Sequence, residues 1–317
     1  MISINLLPRF LGICSLLILL CGSPETKAAP GDNFTATQYP IVLVYGILGF
    51  DTVLGVDYFY GIPAALRSGG ANVYVANIQQ LNRTALRGEQ LLAQVQRILA
   101  ITGASKVNLI GHDQGGLTAR YVAAVRPDLV ASVITVGTPN KGTPVADLVK
   151  STLQQNSTFE QQASLVINLL GSLISLLSTT PDLTMQNSLG AFDSLTLSGV
   201  QSFNQKFPAA VPVTACGEGE PLVNGVRYYS ISGTAIRTNA SDPSDRLWLA
   251  ASLAFLFAPN DGFVSRCSSH LGKVIRDNYR MNHFDEVNML FGMVSDIELD
   301  TLSVYRQLAH QLQTDGL

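Results

Sequence analysis

Two periods of apolar residues alternate along the first half of the chain. Tyr39-Pro40-Ile41-Val42-Leu43-Val44-Tyr45-Gly46, Val73-Tyr74-Val75-Ala76, Val107-Asn108-Leu109-Ile110 and Val133-Ile134-Thr135-Val136 are short, β-branched and nearly continuous in their apolar character. Such runs predict strands covered on both faces. Between them the spacing changes. Ile62 to Arg67 predicts a short helix stopped by Gly69-Gly70. A helix opening at Arg87-Gly88-Glu89 sets Leu91, Leu92, Val95, Ile98 and Leu99 on one stripe. A third helix is predicted from Gln114 to Val125. Strand and helix in turn predict an α/β architecture, a mostly parallel sheet joined by right-handed crossovers. The alternation breaks after Lys150. Ser151 to Ser178 ends in a dense apolar run from Leu165 to Leu177, with Ser164, Asn168, Ser172 and Ser175 on its other side. It is too short to span a bilayer. Val226 to Ile231 predicts a late strand, Asn260-Asp261-Gly262 a turn, and Val304, Tyr305, Leu308 and Leu312 a final helix.

The chain's 317 residues are enough for one large domain. The first 28 stand apart. Arg9 gives a weakly positive start, Phe10 to Cys21 a short apolar core, and Thr26-Lys27-Ala28 the small residues of a cleavage site. Residues 1–28 therefore read as a signal peptide, with a single domain over 29–317. Cys21 raises a lipoprotein alternative, against which stands the bulk of Leu20 just before it. With residues 1–28 removed, Cys216 and Cys267 remain. In an exported protein such a pair reads as one disulfide, the alternative being two unpaired buried thiols. A net charge of −3 with 14% charged residues gives no electrostatic case for nucleic acid.

The chemistry concentrates at Gly111-His112-Asp113-Gln114-Gly115, where a strand turns sharply into a helix. G-x-Z-x-G at such a junction is a nucleophile elbow. The residue at Z takes a strained backbone conformation, so its neighbours at Gly111 and Gly115 must be small. The helix that follows turns its free N–H groups toward any anion formed there. The loop Ile47-Leu48-Gly49-Phe50-Asp51, after an early strand, lies where an oxyanion hole draws its second donor. An elbow of this kind takes its acid and then its base from later in the chain. Among His270, His283 and His310, the polar loop around His283 suits a base best, and Asp261 on its turn suits the acid. His112 reads as a residue packed beside the elbow.

These stretches, with Ala215 to Glu218, Gly137 to Asp147 and Asp261 to Asn288, resemble the secreted bacterial triacylglycerol lipases of the Pseudomonas and Burkholderia type. The resemblance covers nearly the whole mature chain. It implies an α/β-hydrolase fold with a helical lid, here about 151–180, opening over an acyl-binding cleft at a lipid or ester interface. The other reading of that segment is an ordinary buried helix. By position the resemblance implies catalytic roles for Asp113, Asp261 and His283, and oxyanion donors on the backbone N–H of Ile47 and Gln114. It also implies one structural Ca²⁺ held by the carboxylates of Asp242 and Asp285 and the carbonyls of Met289 and Met293. Two carboxylates plus carbonyls make a hard oxygen site. A Cys216–Cys267 disulfide, secretion and a lipase-specific foldase complete the implication.

Three positions depart from the family pattern. Asp113 stands where the family has Ser, Tyr45 where it has the His of its oxyanion strand, and Asn140 where it has a His after Gly-Thr-Pro. All three are expected around the active centre. Asp113 changes the chemistry. A carboxylate that attacks an ester carbonyl forms a mixed anhydride, less stable than the ester, so the step runs backwards. At a saturated carbon bearing a halide or strained epoxide it forms an alkyl ester, which water activated by His283 can clear. Three functions follow: a lipase-family carboxylic-ester hydrolase, a catalytically silent lipid- or partner-binding homologue, or an Asp-nucleophile hydrolase. Asp113-His283-Asp261 resembles the triad of haloalkane dehalogenases and epoxide hydrolases. Those enzymes, however, follow the Asp with an aromatic residue, where this chain has Gln114.

Overall fold

The predicted strand runs assemble into one sheet. The computed structural model describes residues 32–47, 52–53, 56–154 and 185–317. The signal-peptide segment, residues 48–51 of the oxyanion loop and nearly all of the expected lid lie outside the described residues. Strands β1 (Ile41–Val44), β4 (Val73–Val75), β5 (Val107–His112), β6 (Val130–Val136), β8 (Val226–Gly233) and β9 (Lys273–Tyr279) pair in parallel, in the spatial order β4-β1-β5-β6-β8-β9. The short β7 (Leu222–Val223) adds an antiparallel hairpin to the start of β8. Two further strands, β2 (Thr52–Val53) and β3 (Val56–Asp57), form a separate ribbon.

The lack of alternation in the strands has the expected cause. Every residue of β1, β5 and β6 is buried, because helices cover both faces of a parallel sheet. Helices α1 (Ile62–Ser68), α2 (Thr84–Thr102) and α3 (Gln114–Val125) follow β3, β4 and β5 in turn. In α2, Leu91, Val95 and Ile98 face the core, as their spacing predicts. That helix begins three residues earlier than Arg87, which is itself fully buried on its inner face. The strand Lys273–Tyr279 carries no apolar run. Its only apolar pair is Val274-Ile275, followed by Arg276, Asp277 and Asn278, so its pairing to β8, and not its own composition, makes it a strand.

Two apolar clusters form. The larger fills both faces of the sheet. The second, around Leu117, Val145, Val149, Phe192, Val200, Trp248 and Phe263, sits at the end of the sheet where the elbow lies. It is built by α4 (Pro144–Gln154), α5 (Met185–Asp193), α6 (Leu197–Lys206) and α7 (Ser244–Ala251). Among the described residues, no helix is long and apolar enough to cross a membrane. Cys216 and Cys267 are joined in a disulfide.

Candidate active site

The elbow has the geometry its glycines require. Asp113 sits between β5 and α3 at φ 51°, ψ −128°, a conformation that costs a non-glycine residue about 1–3 kcal/mol and persists only where the surroundings enforce it. A Cβ on Gly115 would stand 2.0 Å from the Val44 carbonyl, and one on Gly111 would stand 2.5 Å from the Gly115 backbone. The helix can therefore begin hard against β1 and β5 only with glycine at both places. The Asp113 N–H is bonded to the Val136 carbonyl, 3.1 Å away on β6, which fixes the turn from the neighbouring strand.

Asp113 is buried, and its two oxygens differ. Oδ2 accepts the Ile47 N–H at 2.8 Å, and the Gln114 N–H also favours the charged carboxylate. Of the two backbone groups expected to bind an oxyanion, the Ile47 N–H thus holds the Asp113 carboxylate itself. Oδ1 has no hydrogen-bond partner among the described residues. Burial pushes the Asp113 carboxyl up, while His283 and the two N–H groups pull it back.

His283 and Asp261 come together from 22 residues apart, with Nδ1 and Oδ2 at 2.7 Å. The Asp261 carboxylate is further fixed by the N–H groups of Phe263 and Val264 at 2.8 and 2.6 Å, and the His283 N–H bonds the Asp261 carbonyl. Burial alone would lower the pKa of His283. Asp261 on Nδ1 overrides this, Asp113 adds to it, and the net direction is up. Trp248, Phe263 and His112 surround the ring at centroid distances of 5.3, 5.1 and 4.4 Å.

The other two histidines are held elsewhere. His270 bonds Asp277 and the Gly217 carbonyl near the disulfide, and His310 stacks on Phe34. His112 lies beside the elbow as expected. Its Nδ1 meets the Tyr58 hydroxyl at 2.6 Å and its Nε2 faces Glu286 Oε2 at 3.3 Å. Burial, with His283 adding, holds its pKa well below the usual value.

Two of the three departures from the family pattern do not point into this centre. Asn140 is buried in a polar network, its amide donating to Thr135 and the Ser269 carbonyl and its oxygen accepting from Arg120. The Tyr45 hydroxyl is tied to the backbone of Ile78, accepting its N–H at 3.0 Å. In both, the buried polar group turns to where its hydrogen bonds are completed.

Several site residues carried no sequence signal. Glu286 brings Oε2 to 3.9 Å from His283 Nδ1, and its other oxygen accepts the Gly233 N–H. Burial, then Asp261, pushes its carboxyl well up. His112, His283 and Glu286 form the one cluster among the described residues whose donor atoms are close enough for a metal, within 4.8 Å of one another. Asp261 already occupies His283 Nδ1, and among the described residues His112 Nε2 and Glu286 Oε2 are buried without a hydrogen-bond partner. Arg87, a plain helix residue in sequence, reaches from α2 to the carbonyls of Tyr45, Gly46 and Gln80 and so holds the strand that leads to Ile47. Asp242 and Asp285 are both buried. Asp285 is pushed up to about 7 by burial, with Asp242 and Asp245 adding to the rise. Between Asp285 and Met293 the backbone takes left-handed conformations at Asn288, Leu290 and Phe291. A cleft near Phe207, Val211 and Tyr228 contains none of these residues.

The alpha/beta hydrolase fold family model matches residues 39–287. A triacylglycerol lipase of Vibrio cholerae is 54% identical, over 92% of this chain and 93% of that protein. A triacylglycerol lipase of Burkholderia plantarii is 39% identical over 95% and 92%, and one of Pseudomonas fragi 39% identical over 90% and 100%. Among solved structures, a Bacillus licheniformis lipase in its mature form superposes with a TM-score of 0.60 at 20% identity, over 91% of this chain and 96% of that one. At that identity the likeness speaks for the fold alone.

Proposed function

The chain belongs to the triacylglycerol lipases of the alpha/beta hydrolase fold, and from that premise we propose that it is an exported hydrolase of lipid esters whose turnover is limited at one residue, Asp113. What carries this reading is the pairing of His283 with Asp261 at 2.7 Å beside an elbow whose Asp113 side chain lies on the Ile47 N–H. In a serine hydrolase that arrangement lets the imidazole take the nucleophile's proton and return it to the leaving alcohol, while the hole stabilises the tetrahedral oxyanion. Here Asp113 has no proton to give up when ionised. Its attack on an acyl carbon reverses, and its own oxygen occupies the hole that the substrate carbonyl needs. Ester turnover by the native chain is therefore slow.

The test is hydrolysis of p-nitrophenyl esters and triglyceride by the native chain and by Asp113→Ser. Losing one member of a working triad costs on the order of 10⁴-fold, so the serine variant gains a large part of that factor. Equal rates in the two proteins would refute the argument from the carboxylate. No activity in either would favour a silent lipid-binding homologue.

We also propose that Asp242, Asp285 and the carbonyls of Met289 and Met293 hold one Ca²⁺. The residues fit such an ion. Two buried carboxylates with Asp245 beside them collect negative charge, and all donors are hard oxygens. When bound, the ion would neutralise that charge and pin the loop in which His283 lies two residues before Asp285. Secretion and a lipase-specific foldase belong to the same reading and rest on the family resemblance.

A further inference from the structure

We propose that this chain carries a second chemistry, hydrolytic displacement of halide from a saturated carbon, with Asp113 Oδ1 as nucleophile and the Trp248 Nε1–H as donor to the leaving halide. The inference does not depend on ester turnover by the native chain. Two independent observations carry it.

The first is the division of labour within the Asp113 carboxylate. Oδ2 is taken by the Ile47 N–H at 2.8 Å, whereas Oδ1 is buried and has no hydrogen-bond partner among the described residues. A buried anionic oxygen without donors is poorly solvated and correspondingly reactive. Its carboxyl group is held rigidly by the elbow, with one lone-pair-bearing oxygen left over.

The second is the only tryptophan of the chain. Trp248 is 5% exposed, and its Nε1–H is buried without an acceptor among the described residues. Its ring stands edge-on to His283 at 5.3 Å and to Phe284 at 4.7 Å, with Phe263 at 6.3 Å. An orphaned indole N–H in a native core calls for an explanation. A halide is a suitable acceptor: it needs one hydrogen bond and no proton. An epoxide oxygen must be protonated as it leaves, which an indole cannot do, so the haloalkane is the substrate class that fits. The aromatic wall suits an alkyl chain and keeps bulk water from the displaced ion.

Each step balances. The Oδ1 lone pair forms a bond to the carbon, the carbon–halogen bond breaks, and the halide leaves with its electron pair onto the Trp248 N–H. Asp113 now carries an alkyl ester. Water gives a proton to His283 as its oxygen adds to the Asp113 carboxyl carbon. The negative charge of the tetrahedral intermediate falls on Oδ2, which already lies on the Ile47 N–H. On collapse the carboxyl C–Oδ1 bond breaks, and the alkoxide takes the proton from His283. Haloalkane and water yield alcohol, halide and one proton to solvent. The oxyanion hole that Asp113 denies to an ester thus serves the second step of this reaction.

His283→Gln separates the two steps, because the first needs no base. That variant is incubated with 1-bromobutane, 1-bromohexane and 1,2-dibromoethane, and the peptide containing Asp113 is weighed. One alkyl group on that peptide is expected. It should be absent in His283→Gln/Asp113→Asn. Its formation should slow in His283→Gln/Trp248→Phe by an amount on the order of 10²-fold, the usual cost of removing one preorganised donor. The full native chain gives a second readout that needs no variant. After reaction in H₂¹⁸O, the label should appear in the Asp113 carboxylate. A folded His283→Gln chain that gains no alkyl group from any of the three bromides, together with native Asp113 that takes up no label, would overturn the proposal. An adduct formed equally fast without the indole would remove Trp248 from it. Neither outcome bears on the ester assay of Asp113→Ser.

Discussion

At the scale of single residues, one buried charge beside the site, Arg87, is matched by backbone carbonyls. Among the described residues Arg87 makes no hydrogen bond to a carboxylate. It donates to the carbonyls of Tyr45, Gly46 and Gln80, and burial lowers its pKa to about 10. These bonds fix the strand end from which the Ile47 N–H reaches Asp113. Approach there is close: a Cβ on Gly46 would stand 2.3 Å from Asp113 Oδ2. Arg87→Met keeps much of the side-chain bulk and strands three carbonyls. A hydrogen bond from a charged group is worth roughly 1.5–3 kcal/mol, and a buried carbonyl left bare costs about 1–3. A loss of about 2–4 kcal/mol is expected, read as a lower urea midpoint at constant slope. A midpoint within error of the native chain would mean that the clamp is dispensable.

At the scale of elements, the sheet end is held together by connections between segments distant in sequence. Arg120 on α3 donates to Asn140 after β6 and to Asn204 and Phe207 at the end of α6. Asn140, where the family has a histidine, is thereby a joint between helices and not part of the catalytic centre. The Cys216–Cys267 disulfide closes a separation of 51 residues and ties the loop before β7 to the segment before β9. Lys141 donates to the carbonyls of Thr214 and Ala215 beside it. Removing a disulfide that closes a loop of this size costs about 2–4 kcal/mol. Cys216→Ala/Cys267→Ala should lower the melting temperature, and the native chain should respond to reductant in the same direction. An unchanged melting temperature for the double variant would show that the flanking hydrogen bonds alone hold the loop.

At the scale of the whole molecule, the expected Ca²⁺ would join parts that the chain order keeps apart. Asp242 precedes α7, which carries Trp248, and Asp285 follows His283. An ion between them would link the aromatic wall to the base. Saturating Ca²⁺ should stabilise the fold by about 2–4 kcal/mol, as expected for a ligand present at 10²–10³ times its dissociation constant. Melting the full mature chain with added Ca²⁺ and with chelator reads this out. Asp242→Asn/Asp285→Asn should abolish the difference. The calcium reading fails if the native chain melts at one temperature under both conditions.

What the sequence determined by itself was local or repetitive. Unbroken β-branched runs and a helical stripe predicted the parallel sheet, because burial on both faces leaves no place for polar alternation. Gly111 and Gly115 located the elbow, because only glycine permits that approach of helix to strand. Chain order with loop context picked out Asp261 and His283, which the structure brings to 2.7 Å. Tertiary structure decided the rest, because it depends on which long-range partner completes each buried polar group. Lys273–Tyr279 is a strand only beside β8. Tyr45 and Asn140 turned away to satisfied networks, and Arg87 and Glu286 turned in. Identity alone placed a carboxylate at the elbow, but only the fold gave one of its oxygens the Ile47 N–H and left the other, like the Trp248 N–H, without a partner among the described residues.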